Sequence, residues 1–72
     1  MGIQGREIAV YDGLRFMAWA WVPDTVTVYR VARLRGFHLI RPIEVLEAPI
    51  HWLAGRYEAR FPAGTFPDPP TG

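Results

Sequence analysis

Arg6-Glu-Ile-Ala-Val-Tyr-Asp-Gly-Leu-Arg-Phe-Met-Ala-Trp-Ala-Trp-Val22 decides the fold. Large apolar residues recur at every second position on both sides of Asp12-Gly13, the period of a β-strand. Asp-Gly between two such runs is the signature of a tight hairpin, because its residues tolerate the positive φ that the turn needs. The sequence therefore predicts one strand over 6–11, a turn at Asp12-Gly13 and a second strand over 14–22.

Working outward, Pro23-Asp24 reads as the next turn, with proline presetting φ and Asp bonding to its own backbone. Residues 25–34 are rich in Val and Thr, whose branched Cβ fits a pleated sheet. These runs predict a three-stranded N-terminal meander. With two-residue loops at both turns, Ile8 falls opposite Met17, Ala9 opposite Phe16, and Trp19 opposite Val28. One face then carries Ile8, Val10, Met17, Trp19, Trp21, Val26 and Val28, and by apolar area it is the expected core. The other face carries Glu7, Ala9, Tyr11, Phe16, Ala18, Ala20, Thr27, Tyr29 and Val31. A slip of one residue at either turn exchanges the faces beyond it.

The second half punctuates differently. Arg35-Gly36 predicts a turn and 37–40 a short strand. Pro42 and Pro49 argue against a long element over 41–50, leaving a short edge strand at 43–46. Residues 50–61 admit two readings. As a helix, Pro49 takes the first position and Ile50, Leu53, Tyr57 and Phe61 share a face. As a hairpin, Ala54-Gly55 is the turn, and the ~1 kcal/mol cost of a mid-helix glycine favours this reading. Four prolines in residues 62–72 predict an extended C-terminal arm outside the 1–61 domain. The fold class is all-β: a small barrel or sandwich of five or six strands.

Seventy-two residues allow one domain with a marginal core. No cysteine staples it, so dense packing or association must compensate. Half the residues are hydrophobic, including three Trp, three Tyr and four Phe, more than so small an interior absorbs. All eight cations are Arg, and Lys, Ser, Asn and Cys are absent, a bias that a GC-rich genome explains. The net charge of +1 disfavours nucleic acid, whose affinity rests on phosphate contacts. No apolar run reaches the length of a membrane span. The N-terminus lacks a signal peptide's basic and apolar regions, so the expected site is the cytoplasm, or a virion.

Without Ser or Cys, nucleophilic catalysis has few carriers. His38, His51 and Glu44 or Glu47 sketch a metal site, and Glu44 with Glu47 an acid–base pair, but nothing fixes either geometry. No catalytic, cofactor or metal residue is assigned. The candidate contact residues are Tyr11, Phe16 and Tyr29 with Arg33 and Arg35, then Trp52, then Phe61 and Phe66 of the arm. They point to a non-enzymatic structural or adaptor subunit bound to other protein subunits. A bacteriophage head-tail or tail component is the setting that fits best. A phage-encoded inhibitor of a host system, or a β-domain for single-stranded nucleic acid, are the alternatives.

Overall fold

The computed structural model describes residues 2–34 and 43–66. They form five strands: β1 (Gly5–Asp12), β2 (Arg15–Pro23), β3 (Val28–Leu34), β4 (Ile43–Leu53) and β5 (Arg56–Phe61). The strands make one sheet in the order β2-β1-β5-β4-β3. β1 and β5 run parallel and every other neighbouring pair is antiparallel. The fold is all-β, and the described residues contain no helix. The expected strand at 37–40 and the residues beyond Phe66 lie outside the described chain.

The sheet has to curl. β2 and β3 are its two opposite edges, about 19 Å apart across a flat sheet. Residues 24–27 connect them, and fully extended that link spans at most about 17 Å. It is shorter still, because Val26 N–H donates back to Pro23 O at 3.0 Å. A half-barrel brings the two ends within reach. Arg6 holds the link in place: its Nη2 donates to Val26 O at 2.6 Å and its Nη1 to Asp24 O at 3.4 Å. The same guanidinium lies 4.6 Å from the centre of the Tyr57 ring.

The meander is therefore corrected at its third strand. β3 pairs with β4, not β2, in a register that sets Arg30 opposite Glu47 and Arg33 opposite Glu44. The Arg30–Glu47 pair closes to 2.8 Å. Pairing with β2 in the expected register would have set both arginines against apolar side chains, so β4 offers the better cross-strand partners.

β4 is also longer than its prolines led us to expect, at 11 residues. It changes partner along its length, pairing with β3 over 43–49 and with β5 over 50–53. Ile50 N–H points to β3, donating to Thr27 O at 2.9 Å. The nitrogen of Pro49 therefore points the other way, where the β5 ladder has ended at Ile50–Ala59. Proline sits where no donor is needed.

The core fills the concave face. Ile8, Val10, Val22, Ala48, Ala59 and Phe61 are buried there, with Tyr29, Val31, Leu46, Ile50, Tyr57 and Phe66 packed around them. Residues 50–61 resolve as a hairpin. Ala54 and Gly55 have φ of 54° and 84°, the positive pair that a two-residue I′ turn requires.

The C-terminal segment folds back at its start. Thr65 N–H donates to Pro62 O at 3.1 Å in a turn, and the buried Asp12 carboxylate receives the N–H groups of Gly64, Thr65 and Phe66 at 2.7, 3.3 and 3.2 Å. Phe66 meets Phe61 edge-to-face at 5.6 Å. Burial works to raise the Asp12 pKa, but the bonds from Phe66, Arg15, Gly64 and Thr65 outweigh it and hold the group below its ordinary value of 3.8.

Two outcomes follow. Ala54 occupies a left-handed conformation that Asn accepts more readily. Ala54→Asn should raise the unfolding free energy by about 0.5–1 kcal/mol, read by denaturant titration. The Asp12 carboxylate binds its proton less readily folded than unfolded, so its contribution is present above pH 3.8 and is lost as pH falls through the folded value below it. Asp12→Asn should be less stable at neutral pH and lose less stability than the parent between pH 5 and pH 2, followed by acid-dependent melting.

Candidate protein-binding face

The convex face is decided by one residue. β1 and β2 pair Asp12 with Arg15 and Tyr11 with Phe16, but Val10 with Ala18. Met17 is the extra residue, a β-bulge. The hairpin loop is Gly13-Leu14, with φ of 62° at Gly13, the positive φ that a II′ turn places at its first central residue. Together the shifted loop and the bulge set Ile8 opposite Ala20 and Ala9 opposite Trp19. The expected face assignment of β2 is thereby reversed beyond the bulge, while Phe16 keeps the face expected for it beside Tyr11. Ala18, Ala20 and Val22 share the concave side with Ile8 and Val10, while Phe16, Trp19 and Trp21 join Glu7, Ala9 and Tyr11 outside.

These rings remain about half open to solvent: Phe16 at 45%, Trp19 at 54% and Trp21 at 57%. Tyr11, Phe16 and Trp19 are contiguous. Tyr11 meets Phe16 at 5.7 Å and Phe16 meets Trp19 at 5.7 Å, both edge-to-face. Trp21 lies over Gly5, where an added Cβ would come within 2.0 Å of the ring. Ala9, directly across from Trp19, is fully covered on this face. β5 supplies the border of the patch. Arg60 stacks 4.3 Å from the centre of the Tyr11 ring, binds Glu58 at 3.0 Å and donates to Gly13 O. Arg56 donates to the Tyr11 hydroxyl.

The candidate residues named from sequence do not gather in one place. Tyr11 and Phe16 meet on the convex face, as just described. Tyr29 is on the concave side, 6.0 Å from Phe61, so the expected trio is split. Arg33 lies opposite Glu44 near the end of β3, and Arg35 falls outside the described residues. Trp52 is exposed at the rim of the half-barrel, 4.8 Å from its cross-strand neighbour Tyr57. Phe61 is 1% exposed, so it belongs to this chain's own core and offers nothing to a neighbour. Phe66 packs on it half-buried.

Two residues that matter most, Trp19 and Trp21, were expected inside on the weight of their apolar area. Ala20 between them carried the opposite signal, since a small residue suits the concave side of a curled sheet. Arg56 and Arg60 carried none.

Glu44 and Glu47 are three apart on a strand and so face opposite sides. His38 lies outside the described residues. Among the described residues no group of three His, Asp or Glu side chains is placed to hold a metal. A hollow of about 200 Å3 lies beside Asp12, Arg15 and Phe66, smaller than usual small-molecule sites. The Asp12 oxygens that face it are committed to the backbone of 64–66 and to Arg15. Comparison with family models, with curated proteins and with solved structures gave no match.

The exposed rings and the buried one should separate in a stability assay. Phe61→Ala should cost about 3–5 kcal/mol. Trp21→Ala, which removes a half-exposed ring, should cost about 1–2 kcal/mol by area. Equal losses at the two positions would contradict this placement.

Proposed function

We propose that this chain is a non-enzymatic subunit of a larger protein assembly and that it docks other protein through the convex face of β1 and β2. The observation that carries the reading is the run of half-open rings Phe16, Trp19 and Trp21 on an edge strand. Exposed Trp in a contiguous apolar patch is what protein-binding surfaces concentrate. The edge of β2, which pairs with no other strand among the described residues, offers backbone groups to the same partner. A bacteriophage particle suits the chain's size and its arginine-only, GC-biased composition.

The nucleic-acid reading draws on the same rings with Arg56 and Arg60 beside them. Both arginines are already engaged: Arg60 with Glu58, Gly13 O and the Tyr11 ring, Arg56 with the Tyr11 hydroxyl. Glu7 and the buried Glu58 add negative charge to the face. Phosphate neutralisation needs cations that are not spoken for, so protein is the favoured partner.

A photo-crosslinking residue in place of Trp21, introduced in the cells that make the protein, tests the reading. Discrete protein adducts are expected there, and none from the same residue at Glu47, on the distant β3–β4 part of the sheet. Adducts to nucleic acid alone, or equal protein adducts from both positions, would overturn it.

A further inference from the structure

The backbone hydrogen bonds of β2 define which of its groups stay unused. Asp24 N–H donates to Gln4 O at 3.0 Å, so residues 4 and 24 form a hydrogen-bonded pair. In an antiparallel ladder such pairs alternate. With the register of Arg6 on Val22, Ile8 on Ala20 and Val10 on Ala18, the N–H and C=O groups of Ala18, Ala20 and Val22 are spent on β1. Those of Trp19 and Trp21 point out of the sheet.

Among the described residues no strand pairs with this edge, and it has clear ends. Pro23 follows in the same outward phase and has no N–H to give. Met17 is the bulge, where the regular ladder stops. What remains is Ala18-Trp-Ala-Trp-Val22, uncharged throughout. Edge strands normally carry a charge or a proline within the run to stop association, and here none falls inside it. The other edge, β3, carries Arg30 and Arg33 within its run, charges of the kind that edge strands use against association.

From this we infer that β2 pairs antiparallel with β2 of a second copy, about a two-fold axis through Ala20, joining two half-barrels into one continuous sheet. The inference rests on the proposed docking face and names its partner. The segment 18–22 is symmetric about Ala20, so this register uses the whole free edge. Trp19 of each copy falls opposite Trp21 of the other, and these are the residues whose N–H and C=O groups face outward. Four inter-chain hydrogen bonds form, and four indoles line one seam on the convex side. The open surface of Phe16, Trp19 and Trp21 comes to about 350 Å2 per copy, from ring areas of 150–250 Å2. With the backbone edge, that approaches the roughly 600 Å2 per partner of the smallest specific interfaces. The contact is isologous and closes on itself, giving a dimer and not a fibre.

The chain has no native cysteine, so single cysteines report the register directly. At the axis, Ala20 faces its own copy in a non-hydrogen-bonded pair with Cα atoms about 4.5 Å apart, inside the range a disulfide bridges. Ala18 faces Val22 of the other copy, far from its own equivalent. Ala20→Cys should oxidise to a covalent dimer at micromolar concentration, while Ala18→Cys, and Ala32→Cys on the β3 edge, should not. Light scattering of the unmodified full chain should rise with concentration toward twice its 8.2 kDa mass. Replacing both tryptophans, Trp19→Lys with Trp21→Lys, should hold it at one chain by setting like charges opposite each other. Crosslinking through Ala18→Cys or Ala32→Cys as fast as through Ala20→Cys would overturn the pairing. So would a mass of one chain at millimolar concentration, or a dimer that no Ala20→Cys link captures. A monomer that still gives protein adducts at position 21 removes self-pairing alone and leaves the assembly reading standing.

Discussion

The bulge at Met17 sets which way β2 faces, and most of the molecule's outward character depends on it. A strand alternates its side chains with a period of two, so one extra residue exchanges the two faces beyond it. Here the extra residue turns Ala18, Ala20 and Val22 toward Ile8 and Val10, where small side chains let the sheet curl tightly. The same step turns Trp19 and Trp21 to solvent beside Phe16, which precedes the bulge. The core loses two indoles and keeps Phe61, Tyr29, Tyr57 and Phe66 as its large rings. A chain of this length has little apolar area to spare, so leaving two tryptophans outside is a cost that contact with another chain would offset.

Two other constraints close the fold around that choice. The four-residue link from β2 to β3 forces the sheet into a half-barrel, and the Arg6 side chain fastens the link to β1. At the opposite end the Asp12 carboxylate gathers three backbone N–H groups and draws residues 62–66 over the core. Both devices use a charged side chain to satisfy backbone groups, which a small protein without disulfides needs where ladders end.

Much of the architecture was legible in the sequence. The β1–β2 hairpin, with its loop one residue later than expected at Gly13-Leu14, the strand that follows Pro23-Asp24 and the Ala54-Gly55 turn follow from local chemistry, and the all-β class with them. What was not legible was non-local. β3 chooses β4 because Glu44 and Glu47 fall opposite Arg33 and Arg30, a match that appears only once a register is assumed. Pro49 reads as a breaker until β4 is seen to change partners there. The bulge has no sequence signal of its own, and without it the apolar weight of Trp19 and Trp21 argues for burial. Of the contact residues picked out, Tyr11 and Phe16 fell on the exposed convex face and Trp52 on an exposed rim, because aromatics at alternate positions have few other destinations. Phe61 is the exception: it ends β5 in the core, in phase with Tyr57 and Ala59.

The outward face of Trp19 and Trp21 depends on the phase of β2, and amide hydrogen exchange by NMR reads that phase directly. In dilute solution the amides of Ala20 and Val22 should be protected by β1, while those of Trp19 and Trp21 exchange quickly. At higher concentration the Trp19 and Trp21 amides should slow as the free edge is used. Fast exchange at Ala20 and Val22 with protection at Trp19 and Trp21 in the dilute monomer would contradict the register, and with it the outward face on which this account is built.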